Sequence, residues 1–154
     1  MPPKRVLFLC IGNACRSPMA EAFAHRLAPD VIEPSSAGLY PLGYLAAPTV
    51  AVLLEKGITC DGQTSKPLRE AELRGADLVI NMTGRPAKKL FEDQTLPVED
   101  WDVGDPFGSD LEVYRQIRDE IERRVADLAM RLRAAAGESA SGSVQAPATS
   151  RSTE

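Results

Sequence analysis

The chain has few of the residues on which several common devices depend. It carries three cysteines in 154 residues, Cys10, Cys15 and Cys60. An odd, small number argues against a disulfide scaffold and for a reducing compartment, so the protein is expected to be cytoplasmic. There is one tryptophan, Trp101, read as packing, and aromatic residues make up 5% of the chain. No excess of basic charge exists: 18 Lys and Arg stand against 22 Asp and Glu, a net charge of −4. A broad basic surface for nucleic acid is therefore not expected. The longest apolar runs are far too short to cross a membrane, and no secretory h-region precedes the first apolar run. What remains is ordinary for a globular chain, with 44% apolar and 26% charged residues. The length favours one domain with a sizeable core.

One stretch stands out, Val6 to Glu21. Val6-Leu7-Phe8-Leu9 is a short continuous apolar run, the pattern of a strand buried on both faces. Gly12 and Asn13 follow, two residues that tolerate positive φ. Ser17 suits an N-cap and Pro18 a first helical position, and Ala20 to Phe23 carry a helix on. Strand, loop and helix N-terminus together form an anion site, because loop amides turn inward and the helix end adds partial positive charge. Into that cup the sequence places the Cys10 thiol and, six positions on, the Arg16 guanidinium. Oriented N–H groups, a helix N-terminus and a cation all favour a thiolate. The same groups bind a phosphate dianion, so a nucleophilic sulfur would lie beneath a bound phosphoryl group, with Arg16 forked onto its oxygens. A Cys-x5-Arg spacing alone is common; within strand, loop, Ser-Pro and helix it is specific.

The rest of the chain alternates strand and helix. Helices are expected at about 17–28, 48–56, 68–74, 86–92 and 110–133, the last on the stripe Leu111, Tyr114, Ile117, Ile121, Val125, Leu128 and Leu132. Strands are expected at 31–36, at 77–82 and, as an edge, between Leu96 and Val103. Ser36-Ala37-Gly38 leads into what reads as a turn at Gly38. The fold class is α/β: a three-layer, open, parallel four-stranded sheet with helices on both faces and the phosphate-binding loop after strand 1. Ligands bind such sheets at the carboxyl ends of the strands, where Cys10 sits. From Gly137 the chain turns to Ser, Ala, Thr and Gly, so the expected division is one domain over 1–136 and a disordered tail over 137–154. His25, the single histidine, falls eight residues into the first helix, away from Cys10, and a Cys–His pair is not expected. An acid for the leaving group is sought among Asp100, Asp102, Asp105 and Asp110. Asp105 precedes Pro106 in a glycine-flanked loop after the last strand, on the same sheet edge as Cys10. The others read as solvated charge or, for Asp110, a helix N-terminus.

Cys10-Ile11-Gly12-Asn13-Ala14-Cys15-Arg16-Ser17-Pro18 resembles the phosphate-binding loop of the low-molecular-weight protein-tyrosine phosphatases, bacterial type, with every fixed position of Cys-x-Gly-Asn-x-Cys-Arg-Ser-Pro present. The likeness extends over about residues 4–135, through Ser36-Ala37-Gly38 and the Asp77 to Met82 strand. It implies catalysis by Cys10, Arg16 and Asp105, the last as general acid and then as base toward water. It implies substrate contacts from Ile11, Gly12, Asn13, Ala14, Cys15 and Ser17. Asn13, Ser17 and Ser36 are implied as supports of the loop, with Ser17 stabilising the thiolate. Where several members have a histidine in that network, this chain has Gln63. Tyr40, Tyr44 and Phe107 read either as walls of the cleft or as loop anchors; the resemblance implies walls. Cys15 reads either as a loop residue or as the partner of Cys10 in a reversible disulfide, which the resemblance implies and which would need a thiol reductant. Cys60 reads as a structural, partly buried thiol.

The expected activity is hydrolysis of phosphotyrosine in proteins through a phosphocysteine, without cofactor or metal, because the loop supplies the positive field. The partner expected is a phosphotyrosine protein, with no nucleic acid and no membrane. One rival is a protein-arginine phosphatase: bacterial relatives with that activity share Asp-Pro-Phe-Gly but carry Thr after the nucleophile, where Ile11 here favours an aryl phosphate. Another is an arsenate reductase, which needs further resolving cysteines; residues 61–154 contain none. A third is a non-catalytic phosphate-binding module, which need not keep Cys10, Arg16 and Asp105 together.

Overall fold

A computed structural model describes residues 2–144, and side chains as far as residue 137. The elements run β1 (Lys4–Cys10), α1 (Arg16–Leu27), β2 (Ile32–Gly38), α2 (Ala47–Leu54), α3 (Glu70–Gly75), β3 (Leu78–Asn81), α4 (Ala87–Leu90), β4 (Val98–Asp100) and α5 (Leu111–Val144). All strand pairs are parallel and the order is β2-β1-β3-β4. The chain therefore leaves β1 for one neighbour, β2, and later returns on its other side as β3. That change of direction opens a crevice at the carboxyl end of β1. Register carries Cys10 opposite Gly38, and Leu9 opposite Asn81.

The apolar run of β1 works by alternation. Val6, Phe8 and Cys10 belong to the larger core with Met19 and Phe23 of α1, Val52 and Leu53 of α2, and Tyr114, Ile121, Val125 and Leu128 of α5. Leu7 and Leu9 point the other way, against Val79 and Leu73 of α3, with Leu90, Phe91 and Leu96 closing that side. Helices thus cover both faces, which is why β1 needs no polar alternation. Each large side chain so buried stabilises the fold by about 1.5–3 kcal/mol, and together they hold the carboxyl end of β1 rigid.

Several boundaries differ from the sequence pattern. The second strand runs through Gly38, which is no turn but the strand's last residue. A Cβ there would lie 2.8 Å from both the Asn13 nitrogen and the Ile11 oxygen, so glycine serves close approach of the loop that follows β1. β4 keeps only three residues, starting just after Pro97, whose carbonyl accepts from Val79. Helix α1 starts at Arg16 with Cys15 in the cap position and no side-chain cap. Helix α5 continues to Val144, past the expected boundary at 136. Ala134, Ala135 and Ala136 extend it, since alanine needs no partner to favour a helix. The remainder of the expected tail, 145–154, lies outside the described residues.

Candidate active site

The segment 10–16 lies over the carboxyl end of β1 and is held from outside by its carbonyls. Cys10, Ile11, Gly12 and Ala14 accept hydrogen bonds from the backbone of Leu39, Tyr40, Leu42 and Ala46, at 2.8–3.1 Å. The Gly12 carbonyl also accepts from Ser65 Oγ, and that of Ala14 from Thr49 Oγ1, both at 2.9 Å. A peptide's N–H points opposite to its C=O. Fixing these carbonyls outward therefore turns the amides of Ile11, Gly12, Asn13 and Cys15 to the inner side. Asn13 takes φ +48°, the one positive φ at a non-glycine residue among the described residues. Gly12 does not need a positive φ; its missing side chain admits Leu42, whose Cγ would lie 3.3 Å from a Cβ.

Beneath the loop runs a buried polar network. Ser17 Oγ lies 3.0 Å from Cys10 Sγ, and the Ser17 backbone N–H donates to the same sulfur at 3.4 Å. Asn13 Nδ2 donates to Ser17 Oγ at 2.7 Å and to Ser36 Oγ at 3.0 Å, while its Oδ1 accepts from the Lys66 backbone. Ser36 donates to Glu21 Oε1 at 2.6 Å, and Gln63 Nε2 donates to the same oxygen at 3.2 Å and to the Pro18 carbonyl at 3.0 Å. Gln63 thus occupies the outer link through its amide. Ser17 is not a cap: it stands inside the first turn of α1 with its hydroxyl committed to the network. It and Asn13 are fully buried and lie under the loop rather than on the cleft wall.

Arg16 is buried although charged. Its Nη1 donates to the carbonyls of Met82 and Val103, its Nη2 stands 3.5 Å from Asp105 Oδ2, and its Nε has no protein partner. The Nε–Nη2 edge, the one that matches two oxygens in a fork, is thus the edge not committed to the backbone. Asp105 is half exposed and its other oxygen accepts from the Phe107 backbone. Two of the competing carboxylates have other partners: Asp100 accepts from Asn81 and the Ala87 backbone, and Asp110 from the Val113 backbone at the start of α5.

A cleft of about 250 Å³ is lined by Cys10, Ile11, Gly12, Ala14, Cys15, Arg16, Tyr40, Leu42, Asp105 and Phe107. Tyr44 is not among them; it is 60% exposed, outside the cleft. Leu42, two residues earlier, takes the wall position because its backbone pairs with Gly12. Arg85 stacks over Tyr40 at 5.7 Å from the ring centre. Leu42, Thr49, Ser65 and Lys66 carry no chemistry in the sequence; only their pairing across the loop reveals them. His25 lines a separate surface groove with Glu21, Arg26 and Gln63. Trp101 packs against Phe8, as its reading required. The thiols are all free. Burial pushes the Cys15 thiol up, partly offset by hydrogen bonds from Tyr114 and Thr49. Burial likewise raises the half-buried Cys60.

Comparison with known proteins finds a match over residues 5–138 to the family described as low molecular weight phosphotyrosine protein phosphatase. A glutaredoxin arsenate reductase from Synechocystis is 37% identical over 126 residues, covering 81% of this chain and 95% of the relative. Among solved structures, an arginine phosphatase from Geobacillus stearothermophilus superposes with a TM-score of 0.80 at 33% identity, covering 88% of this chain and 97% of its own. A low molecular weight protein tyrosine phosphatase from T. tengcongensis does so at 0.74 and 33% identity, covering 84% and 99%.

Proposed function

The chain belongs to the low molecular weight phosphotyrosine protein phosphatase family, and we propose that it hydrolyses phosphotyrosine in proteins through a phosphocysteine intermediate. The observation that carries this reading is the convergence of Cys10, Arg16 and Asp105 on one cleft whose other walls are Ile11, Tyr40, Leu42 and Phe107. Cys10 Sγ attacks phosphorus, and the loop amides and the Nε–Nη2 edge of Arg16 hold the equatorial oxygens. Asp105 gives its proton to the departing tyrosyl oxygen as the P–O bond breaks and the S–P bond forms. It then takes a proton from the water that cleaves the S–P bond, which returns the thiolate and releases phosphate. The reading needs no metal, because loop amides, helix end and Arg16 supply the positive field. Its setting would be the cytoplasm, in keeping with three free thiols. The Cys10–Cys15 disulfide, reversed by a thiol reductant, belongs to this reading as a proposed protection of the nucleophile.

Phosphoarginine is the second candidate substrate, favoured by the similarity to an arginine phosphatase. A guanidinium offers several N–H donors that need acceptors when buried. Asp105 is the one carboxylate on the cleft wall, and the surrounding side chains are apolar or aromatic, which suits a phenyl ring better. An arsenate reductase would have to route electrons through a further thiol, and none follows Cys60. The test is phosphate release from matched phosphotyrosine and phosphoarginine peptides, with reductant, by the wild type, Cys10→Ser and Asp105→Asn. Turnover of phosphotyrosine that vanishes in Cys10→Ser and falls about 10²–10⁴-fold in Asp105→Asn is expected. Preference for phosphoarginine overturns the substrate and keeps the chemistry.

A further inference from the structure

Besides the bond from Arg16 Nη1 to the Val103 carbonyl, two residues before Asp105, two contacts join the phosphate-binding loop to the loop that carries Asp105. One is the pair between Arg16 Nη2 and Asp105 Oδ2, 3.5 Å long and half exposed on the acid's side. It uses the edge of Arg16 that faces an incoming oxyanion, so binding of a phosphoryl group competes with it directly. The other is buried and does not face the cleft. Tyr114, 1% exposed in the first turns of α5, places its hydroxyl 3.5 Å from Cys15 Sγ. Tyr114 follows the Asp105 loop directly, its backbone N–H donating to the Asp110 carbonyl at 3.3 Å. Cys15 directly precedes Arg16. Gly108, at φ +84°, lies in the turn that Ser109 closes onto the Pro106 carbonyl at 2.8 Å, just behind Asp105. Packing alone would be served by a phenyl ring at position 114; the hydroxyl is a buried polar group on the helix that closes the Asp105 loop, with its partner on the phosphate-binding loop. Burial raises the phenol above its ordinary range, so it keeps the proton it needs to bridge.

We infer that Tyr114 is a positioning residue: its hydroxyl ties the Asp105 loop to the phosphate-binding loop, and holds the acid near the leaving oxygen after a phosphoryl group has displaced Asp105 from Arg16. The inference rests on the phosphomonoesterase reading of Cys10 and Asp105. It concerns one event, transfer of the Asp105 proton to the oxygen that leaves as the S–P bond forms and the P–O bond breaks. An acid matters most for a weakly acidic phenol and least for a strongly acidic one. Loss of the hydroxyl should therefore change how the rate depends on the leaving group, which a general loosening of the fold would not.

The experiment compares kcat/KM for phenyl phosphate and 4-nitrophenyl phosphate in the wild type, Asp105→Asn and Tyr114→Phe, with inhibition by inorganic phosphate measured alongside. Tyr114→Phe is expected to lose about tenfold on phenyl phosphate and less than about twofold on 4-nitrophenyl phosphate. Its affinity for phosphate should stay within about twofold of the wild type, since the phosphate cup keeps its own carbonyl anchors. Tyr114→Met, which fills the space without the hydroxyl, should show the same selective loss, and serves if Tyr114→Phe does not fold. Equal losses on both esters, no loss, or a parallel loss of phosphate affinity would each overturn the role of Tyr114. A wild type that acts on both esters, with the steep dependence in Asp105→Asn only, removes the inference and leaves the proposed function standing. A wild type inert toward both overturns the phosphatase reading and Tyr114's role with it.

Discussion

Ser17 Oγ approaches Cys10 Sγ to 3.0 Å from inside the first turn of α1, while accepting the Asn13 amide at 2.7 Å. One hydroxyl therefore faces the Cys10 sulfur and is itself held by the residue that shapes the loop. Its O–H is the donor that the proposed attack by the Cys10 sulfur calls for, and its lone pair is the acceptor that fixes Asn13. Replacement by alanine takes away both. Ser17→Ala is expected to lower kcat/KM for aryl phosphates by about 10–100-fold, the worth of a hydrogen bond to a charged group, and to cost about 1 kcal/mol of stability. Steady-state kinetics and urea unfolding read the two effects separately, and an unchanged kcat/KM would sink the assignment.

Gly38 faces Cys10 across the β1–β2 pair and lies under the loop backbone. Backbone atoms, not flexible side-chain ends, would meet an added Cβ at 2.8 Å. Gly38→Ala must push the loop outward, which costs about 1–3 kcal/mol as overpacking does elsewhere. Phosphate binding should weaken together with stability. Isothermal titration with phosphate and a thermal melt check this; retention of both values would show that the loop has slack.

The three thiols should differ in reactivity. Burial raises Cys15, and burial also raises Cys60, so both are mainly thiols at neutral pH and slow to alkylate. Iodoacetamide at pH 7 is expected to label Cys10 first, with phosphate protecting it. Labelling of Cys15 and Cys60 should grow only as the pH rises beyond the ordinary thiol range of about 8–9. Peptide mass spectrometry over a pH series decides it. Early modification of Cys15 would mean that its enclosure by Tyr114 and Thr49 is not kept in solution.

Glu55, at the end of α2, binds Arg115 at 2.9 Å and Arg118 at 2.7 Å on α5. Hydrogen bonds from Arg115 first, and from Arg118, hold its carboxyl below the usual glutamate range. A depressed pKa in the folded state means the unfolded chain binds the proton more readily, so stability gained from Glu55 is present above the unfolded value and lost as pH falls through the folded one. The gap in urea midpoint between the wild type and Glu55→Gln should be full above about pH 5 and close below about pH 4. A gap that persists at lower pH would assign the effect to shape rather than charge.

Much of the site could be read before any coordinates. Cys10, Arg16 and Ser17 lie within eight residues of one another, and short separation leaves a strand–loop–helix turn few arrangements. Asp105 stood out among four aspartates through its Pro106 and its flanking glycines, and the family resemblance chose it. Tyr44 was misplaced because a loop with two tyrosines does not announce which side chain turns inward; the bond from Leu42 N–H to the Gly12 carbonyl decides that. Ser17 has the residue type of a cap, and its commitment to Cys10 and Asn13 depends on where α1 begins.

By itself the sequence determined the parallel sheet, through apolar runs too uniform for a solvated face, and the strand–loop–helix turn over residues 10–16, through residues adjacent in the chain. Tertiary structure alone decided which distant groups serve that loop. Thr49, Ser65 and Tyr114 reach it from 35 to 99 residues away. Their side chains are ordinary polar ones, and their meaning comes from the packing of α5 against α1 and α2. Local pattern sets backbone conformation because it acts through neighbouring dihedrals. A hydrogen-bond partner across the fold is chosen only when the core closes and every buried polar group must be satisfied.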